Sequence, residues 1–204
     1  MATDSTTIKN NSSEIEIPSV FVSKDENPYE QIKWTERNSQ IYSSDGNLVS
    51  DIQGIEVPET WSQLATDIVA SKYFRKAGVP QFNVTEVIDG KKTLENAKQT
   101  KEVGAENSVR SLVFRVAHTI MRSGLRQGYF KDKKNAQQFE KELTHILLNQ
   151  KAAFNSPVWF NCGLSEIYDI KGSEGNFSLN FDTRKIEELN DSYKSPQCSA
   201  CLAS

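Results

Sequence analysis

The sequence predicts a mainly α domain, and three stretches with helical spacing support that expectation. Val109, Leu112, Val113, Val116, Ile120 and Met121 recur at i, i+3, i+4 and i+7, the pattern of one apolar helix face. Phe139, Leu143, Ile146 and Leu147 repeat the pattern, as do Trp61, Leu64, Ala65, Ile68 and Val69. Strand signals are fewer, a short ribbon and one strand at the end of the sequence.

In chain order, residues 1–20 offer few apolar side chains to bury, so ordering them would cost backbone entropy with little return, and they read as a disordered tail. Between Tyr29 and Ile55 the pattern alternates loosely. Gln40-Ile41-Tyr42 and Leu48-Val49 flank an Asp45-Gly46 pair that favours a tight hairpin turn. The first helix is expected over Pro58 to Lys76, with proline at its start and Gly78 and Pro80 beyond its end. Residues 83–106 are polar and aperiodic and read as a connecting loop. The second helix begins near Val109 and stops near Gly124 or Gly128, and Asp132 is the expected N-cap of the third. Residues 164–197 turn polar again and read as a long surface loop delivering one strand at Cys198-Ser199-Ala200-Cys201.

Composition narrows the function classes. A formal charge of -3 with dispersed Lys and Arg argues against a phosphate-coating surface, so duplex nucleic acid is not expected as a partner. No run approaches the roughly 18 apolar residues of a membrane span, and no secretory signal is visible. Three cysteines, Cys162, Cys198 and Cys201, suit a reducing compartment better than a disulfide framework, and the expected location is the cytoplasm.

Two stretches carry chemistry. Asn155-Ser156-Pro157 breaks a helical pattern, and the Ser156 hydroxyl beside freed backbone amides could bind an anionic or sugar oxygen. The same serine could instead cap a turn before a buried strand, the commoner use of a Ser-Pro break. Cys198 and Cys201, two residues apart, could form a redox pair or half of a zinc site. Zinc would need two more ligands, and Cys162, His118 and His145 form no second paired motif, so no metal site is expected. His118 and His145 sit on periodic helices among apolar neighbours and read as packing or surface residues, while Trp34, Trp61 and Trp159 read as core or interface anchors. Glu140 and Glu142, two apart, cannot share a helix face as a carboxylate pair.

Seven blocks in order resemble the N-terminal domain of class II, vitamin B12-dependent ribonucleotide reductases. They are Asn27-Pro28-Tyr29-Glu30, Val57 to Thr66, Lys72-Tyr73-Phe74-Arg75, Ser108-Val109-Arg110, Gly128-Tyr129-Phe130, Phe154 to Asn161 and Pro196 to Cys201. The most specific is Phe154-Asn155-Ser156-Pro157-Val158-Trp159-Phe160-Asn161. The resemblance implies an N-terminal helical domain over residues 21–164, with 165–204 forming a loop and the first strand of a ten-stranded α/β barrel that lies largely outside the sequence.

It further implies that Ser156 contacts a ribonucleoside diphosphate, and that Ala200 and Cys201 lie beneath its ribose. Cys201 would be one of two redox thiols whose oxidation to a disulfide supplies the electrons that replace the 2′-hydroxyl with hydrogen. Adenosylcobalamin, bound mainly by the rest of the enzyme, would generate a radical that passes to a different cysteine, whose thiyl abstracts the 3′-hydrogen. The other implied partners are the C-terminal barrel segment, a thioredoxin-type reductant and a second copy of the complete enzyme. The chain departs from the family after Cys201, where it reads Leu202-Ala203-Ser204, and neither Cys162 nor Cys198 is given a role. The expectation is of a segment inactive without the C-terminal part, ended by truncation or by an intein or intron junction. Two rival readings are a non-catalytic binding or regulatory module that kept the helices, and a small CxxC redox or zinc protein.

Overall fold

Asp45 and Gly46 turn the chain between two long strands, β1 (Trp34–Tyr42) and β2 (Leu48–Pro58), paired antiparallel with Trp34 opposite Pro58. Gly46 takes φ +79, a conformation that glycine adopts without steric cost. In the computed structural model, which describes residues 15–81, 103–180 and 183–196, this hairpin is much longer than the short ribbon expected around Gln40–Tyr42 and Leu48–Val49. Register shifts between Arg37 and Ser39 and between Ile41 and Tyr42 explain the difference, because each flips the inward face and breaks period two.

The first helix, α1 (Gln63–Ile68), starts later than Pro58, which instead closes β2. Ser62 is its N-cap, its hydroxyl accepting from the Ala65 N–H at 3.1 Å. The helix widens into a π-helical turn, Val69–Tyr73, in which the Phe74 N–H reaches back five residues to the Val69 carbonyl at 3.0 Å. The buried side chains here are Thr66, Val69 and Ala70, while Leu64 and Ile68 of the expected stripe face solvent. Short strands β3 (Val79–Pro80) and β4 (Val103–Gly104) pair next; most of the loop expected over 83–106 lies outside the described residues.

The two long helices meet expectation. Ser108 caps α2 (Val109–Arg126), and Asp132 caps α3 (Lys133–Leu148), accepting from the Asn135 N–H at 2.8 Å. Helix α2 is the spine of the core: Val109, Leu112 and Val113 pack with Ile55 and Val57 of β2, Leu148 of α3 and Leu164, all 2% exposed or less. Each such side chain contributes about 1.5–3 kcal/mol by leaving water. Arg110 ties the hairpin to α2, its guanidinium over the Trp34 ring at 4.1 Å and bonded to Glu56 at 3.1 Å.

Residues 15–20, expected to belong to the tail, are held against the helical pair. Ile15 bonds to the Tyr129 carbonyl at 2.9 Å, and the buried Glu142 carboxylate accepts the N–H groups of Val20, Phe21 and Val22. Three backbone donors on one carboxylate offset the ordering cost that a composition of few apolar residues leaves uncovered.

The mainly α expectation is corrected to a small mixed α/β fold with, among the described residues, three two-stranded antiparallel sheets. The largest departure is in 164–197, which was expected to be loop. Helix α4 (Ser156–Asn161) leads up to it, and it contains α5 (Leu164–Tyr168), then a hairpin of β5 (Asn176–Asn180) and β6 (Lys185–Leu189). Phe177, Leu179 and Ile186 of that hairpin are all exposed, so its sequence shows no buried-face alternation. The expected first barrel strand falls on residues outside those described. No helix among the described residues is long and apolar enough to cross a membrane.

Candidate functional site

The Asn155-Ser156-Pro157 break opens a helix and not a strand. Asn155 is extended at φ -65, ψ 159, and α4 runs from Ser156 with proline in its first turn. Pro157 has no N–H, and the Val158 N–H is already donated to the Asn155 carbonyl at 3.2 Å. Two of the amides expected to face a ligand are therefore unable to do so, and the polar group at the head of α4 is the Ser156 hydroxyl. It lies 3.3 Å from the Tyr73 hydroxyl, at the end of the π-helical turn. The Tyr73 ring sits 5.5 Å from Phe160 and 6.3 Å from Trp159, centroid to centroid.

The other end of α4 is clamped from beneath. Arg115, fully buried on α2, donates to the Trp159 carbonyl at 3.0 Å and to the Cys162 carbonyl at 2.5 Å. Its charge is met by Glu106, which accepts from Arg115 Nε at 2.9 Å and from Nη2 at 3.1 Å, and also from the Tyr168 hydroxyl at 2.7 Å and the Arg75 N–H at 2.8 Å. Burial works against the Arg115 charge, and the Glu106 carboxylate more than offsets it, holding the guanidinium above its ordinary value. Burial, followed by the Glu106 charge, pushes the Tyr168 phenol well up, so it remains a donor. Gly163 follows α4 at φ +80, packed so closely that a Cβ there would lie 2.5 Å from the Arg115 carbonyl.

Ser156 is thus placed at a partly exposed hydroxyl pair, while Ala200, Cys198 and Cys201 lie outside the described residues, and nothing brings them to it or away from it. Cys162 is buried at the end of α4. The histidines are packing groups: His118 stacks on Phe114 at 5.0 Å and meets Glu140 at 2.7 Å, and His145 stacks on Phe21 at 5.0 Å. Each tryptophan anchors the core edge through its indole N–H, which donates to the carbonyls of Tyr29, Leu148 and Phe154 from Trp34, Trp61 and Trp159 respectively. Glu140 and Glu142 serve separate partners on separate faces. Among the described residues no group of His, Cys, Asp and Glu could hold a metal ion.

Tyr73, Arg115 and Glu106 were not singled out from the sequence as site residues. Arg115 carried a usable signal, a charge set inside the stripe of Leu112, Val113 and Val116, where only a paired guanidinium can be buried. Tyr73 stands in the Lys72-Tyr73-Phe74-Arg75 block of the resemblance, but no local pattern gave its placement, which depends on the extra residue of a π turn.

A family model described as class II vitamin B12-dependent ribonucleotide reductase matches residues 35–150. The chain belongs to that family. The vitamin B12-dependent ribonucleotide reductase of Agrobacterium fabrum is 34% identical over 195 residues, covering 89% of this chain. Its counterpart in Rhodopirellula baltica is 37% identical over 175 residues and covers 86%, and that of Streptomyces coelicolor is 33% identical over 169 residues and covers 82%. The chain spans about 15% of the length of these curated relatives. Ser156, Ala200 and Cys201 follow the span matched by the reductase family model. An open groove of about 1370 Å³ runs beside α2, with the Arg122–Glu166 and Arg126–Glu166 pairs at its rim, while both histidines are engaged in ring stacking elsewhere.

Proposed function

We propose that this chain forms the N-terminal part of an adenosylcobalamin-dependent ribonucleotide reductase, in which Ser156 contacts the substrate and Cys201 is a redox thiol beside Ala200. The observation that carries the reading is the head of α4. There a serine hydroxyl is left partly accessible on a short helix whose far end is fixed by a buried ion pair. A contact that must hold one sugar or phosphate oxygen needs a rigid mount of this kind.

The substrate is a ribonucleoside diphosphate. In the reduction, Cys201 and a second thiol outside this chain are oxidised to a disulfide. Their two electrons and two protons, counted over the whole reaction, replace the 2′-hydroxyl with hydrogen and release water. A thioredoxin-type reductant then restores the thiols, and the complete enzyme works as a homodimer in the cytoplasm.

The test is steady-state kinetics on the full-length reductase containing this segment. Cys201→Ser should abolish turnover with the physiological reductant, and Ser156→Ala should raise KM by roughly 3- to 10-fold, the value of one hydrogen bond. Full turnover by Cys201→Ser, or an unchanged KM in Ser156→Ala, would remove the corresponding assignment.

A further inference from the structure

We propose that Tyr73 is a positioning residue for the ribonucleotide contact made by Ser156, its phenolic hydroxyl fixing the direction of the serine hydroxyl. The inference rests on the reading of Ser156 given above and adds the group that acts on it.

The two oxygens are 3.3 Å apart and belong to elements 83 residues apart in sequence. Both residues are only partly buried, so the pair sits where a ligand oxygen can approach while neither hydroxyl is freely solvated. The Tyr73 ring is wedged against Phe160 and Trp159, both on α4, so ring and serine move as one body. The π-helical turn Val69–Tyr73 is what delivers it: the five-residue reach of the Phe74 N–H to the Val69 carbonyl changes the angular position of Tyr73 relative to a plain α-helix. π turns are uncommon and recur at functional sites because the misplaced residue is the useful one.

The physical effect is on rotamer freedom. A serine hydroxyl group on a free side chain samples three staggered χ1 wells. A bond to Tyr73 selects one of them before substrate arrives, which raises affinity by up to about threefold and leaves Ser156 oriented toward the ligand. Arg115 fixes the opposite end of α4 through the Trp159 and Cys162 carbonyls, so the remaining looseness at the site is the hydroxyl itself.

The experiment is a double-mutant cycle in the full-length reductase, with Tyr73→Phe, Ser156→Ala and the pair measured for KM and kcat on a ribonucleoside diphosphate, and thermal melting recorded for each. Tyr73→Phe keeps the ring and deletes only the hydroxyl. It should raise KM by about threefold or less but measurably, with kcat nearly unchanged, melt with the wild type, and add nothing further in the Ser156→Ala background. An unchanged KM in Tyr73→Phe beside a raised KM in Ser156→Ala overturns the positioning role alone. An equal and additive effect of Tyr73→Phe in both backgrounds also overturns it, since that is what a general structural role produces. An unchanged KM in Ser156→Ala removes the substrate contact itself, and the positioning role with it.

Discussion

Arg115 and Glu106 face each other through two hydrogen bonds, Nε to Oε1 at 2.9 Å and Nη2 to Oε2 at 3.1 Å, with both side chains entirely out of water. The pair joins α2 to the segment before it and, through the Trp159 and Cys162 carbonyls, to α4.

Removing either partner leaves the other charge buried and unpaired. Glu106→Gln or Arg115→Met should cost about 3–5 kcal/mol in chemical denaturation followed by tryptophan fluorescence. Arg115→Lys should recover little, because an ammonium cannot serve a carboxylate and two carbonyls from one planar fork. Combining Arg115→Met with Glu106→Gln should be less damaging than the sum of the two single changes, the signature of a coupled pair.

Glu142 predicts an acid limb. Burial raises its carboxyl, but the N–H groups of Phe21, Val20 and Val22 and the Gln138 amide together hold it below the ordinary 4.5. A depressed folded value means that the stabilisation is fully present above about 4.5 and is lost as pH falls through the lowered value. The protection of the Val20 to Val22 amides, relative to their intrinsic exchange rates, should therefore fall on acidification below that point. Glu142→Gln should raise exchange there at neutral pH and flatten the pH dependence.

Gly163 is a position where a methyl group has no room. At φ +80, with the Arg115 carbonyl and Cγ both 2.5 Å from an added Cβ, Gly163→Ala should destabilise the protein by about 2 kcal/mol or more. Denaturation midpoints of this variant beside Gly175→Ala, whose φ is +88 but whose surroundings are open, separate the packing cost from the backbone cost.

The caps should behave independently of the core. Asp132→Ala removes the acceptor for the Asn135 N–H and should cost about 1 kcal/mol. Ser108→Ala should cost more, because Ser108 accepts from Arg110 at 3.1 Å and also bonds to Glu56, joining α2 to β2.

The legible parts of this fold are those in which a local pattern and the tertiary environment agree. Helices α2 and α3 could be read because their apolar stripes pack inward, wholly buried along most of α2 and partly buried on α3, and Asp132 stands where a cap belongs. Helix α1 lies within the expected span, but its start was set too early at Pro58, which closes β2, and two residues of its expected stripe, Leu64 and Ile68, are exposed while its buried face includes Thr66. The hairpin over 176–189 was invisible because its apolar side chains face solvent, and the contact of residues 20–22 was invisible because backbone donors and one carboxylate make it. At the site, Ser156 announced itself by breaking a helix beside a proline. Tyr73 did not, because no periodic rule reports a residue that a π turn has moved.

That turn makes chain length itself a control on the site. An α-helix advances about 100° per residue, so deleting one residue between Val69 and Lys72, with the turn relaxing to ordinary α spacing, would alter the angular relation between α1 and everything after it. A substitution in the same stretch leaves that relation intact. The segment should therefore accept many changes of identity and very few changes of number, and insertions or deletions there should be felt at Ser156, 83 residues downstream of Tyr73.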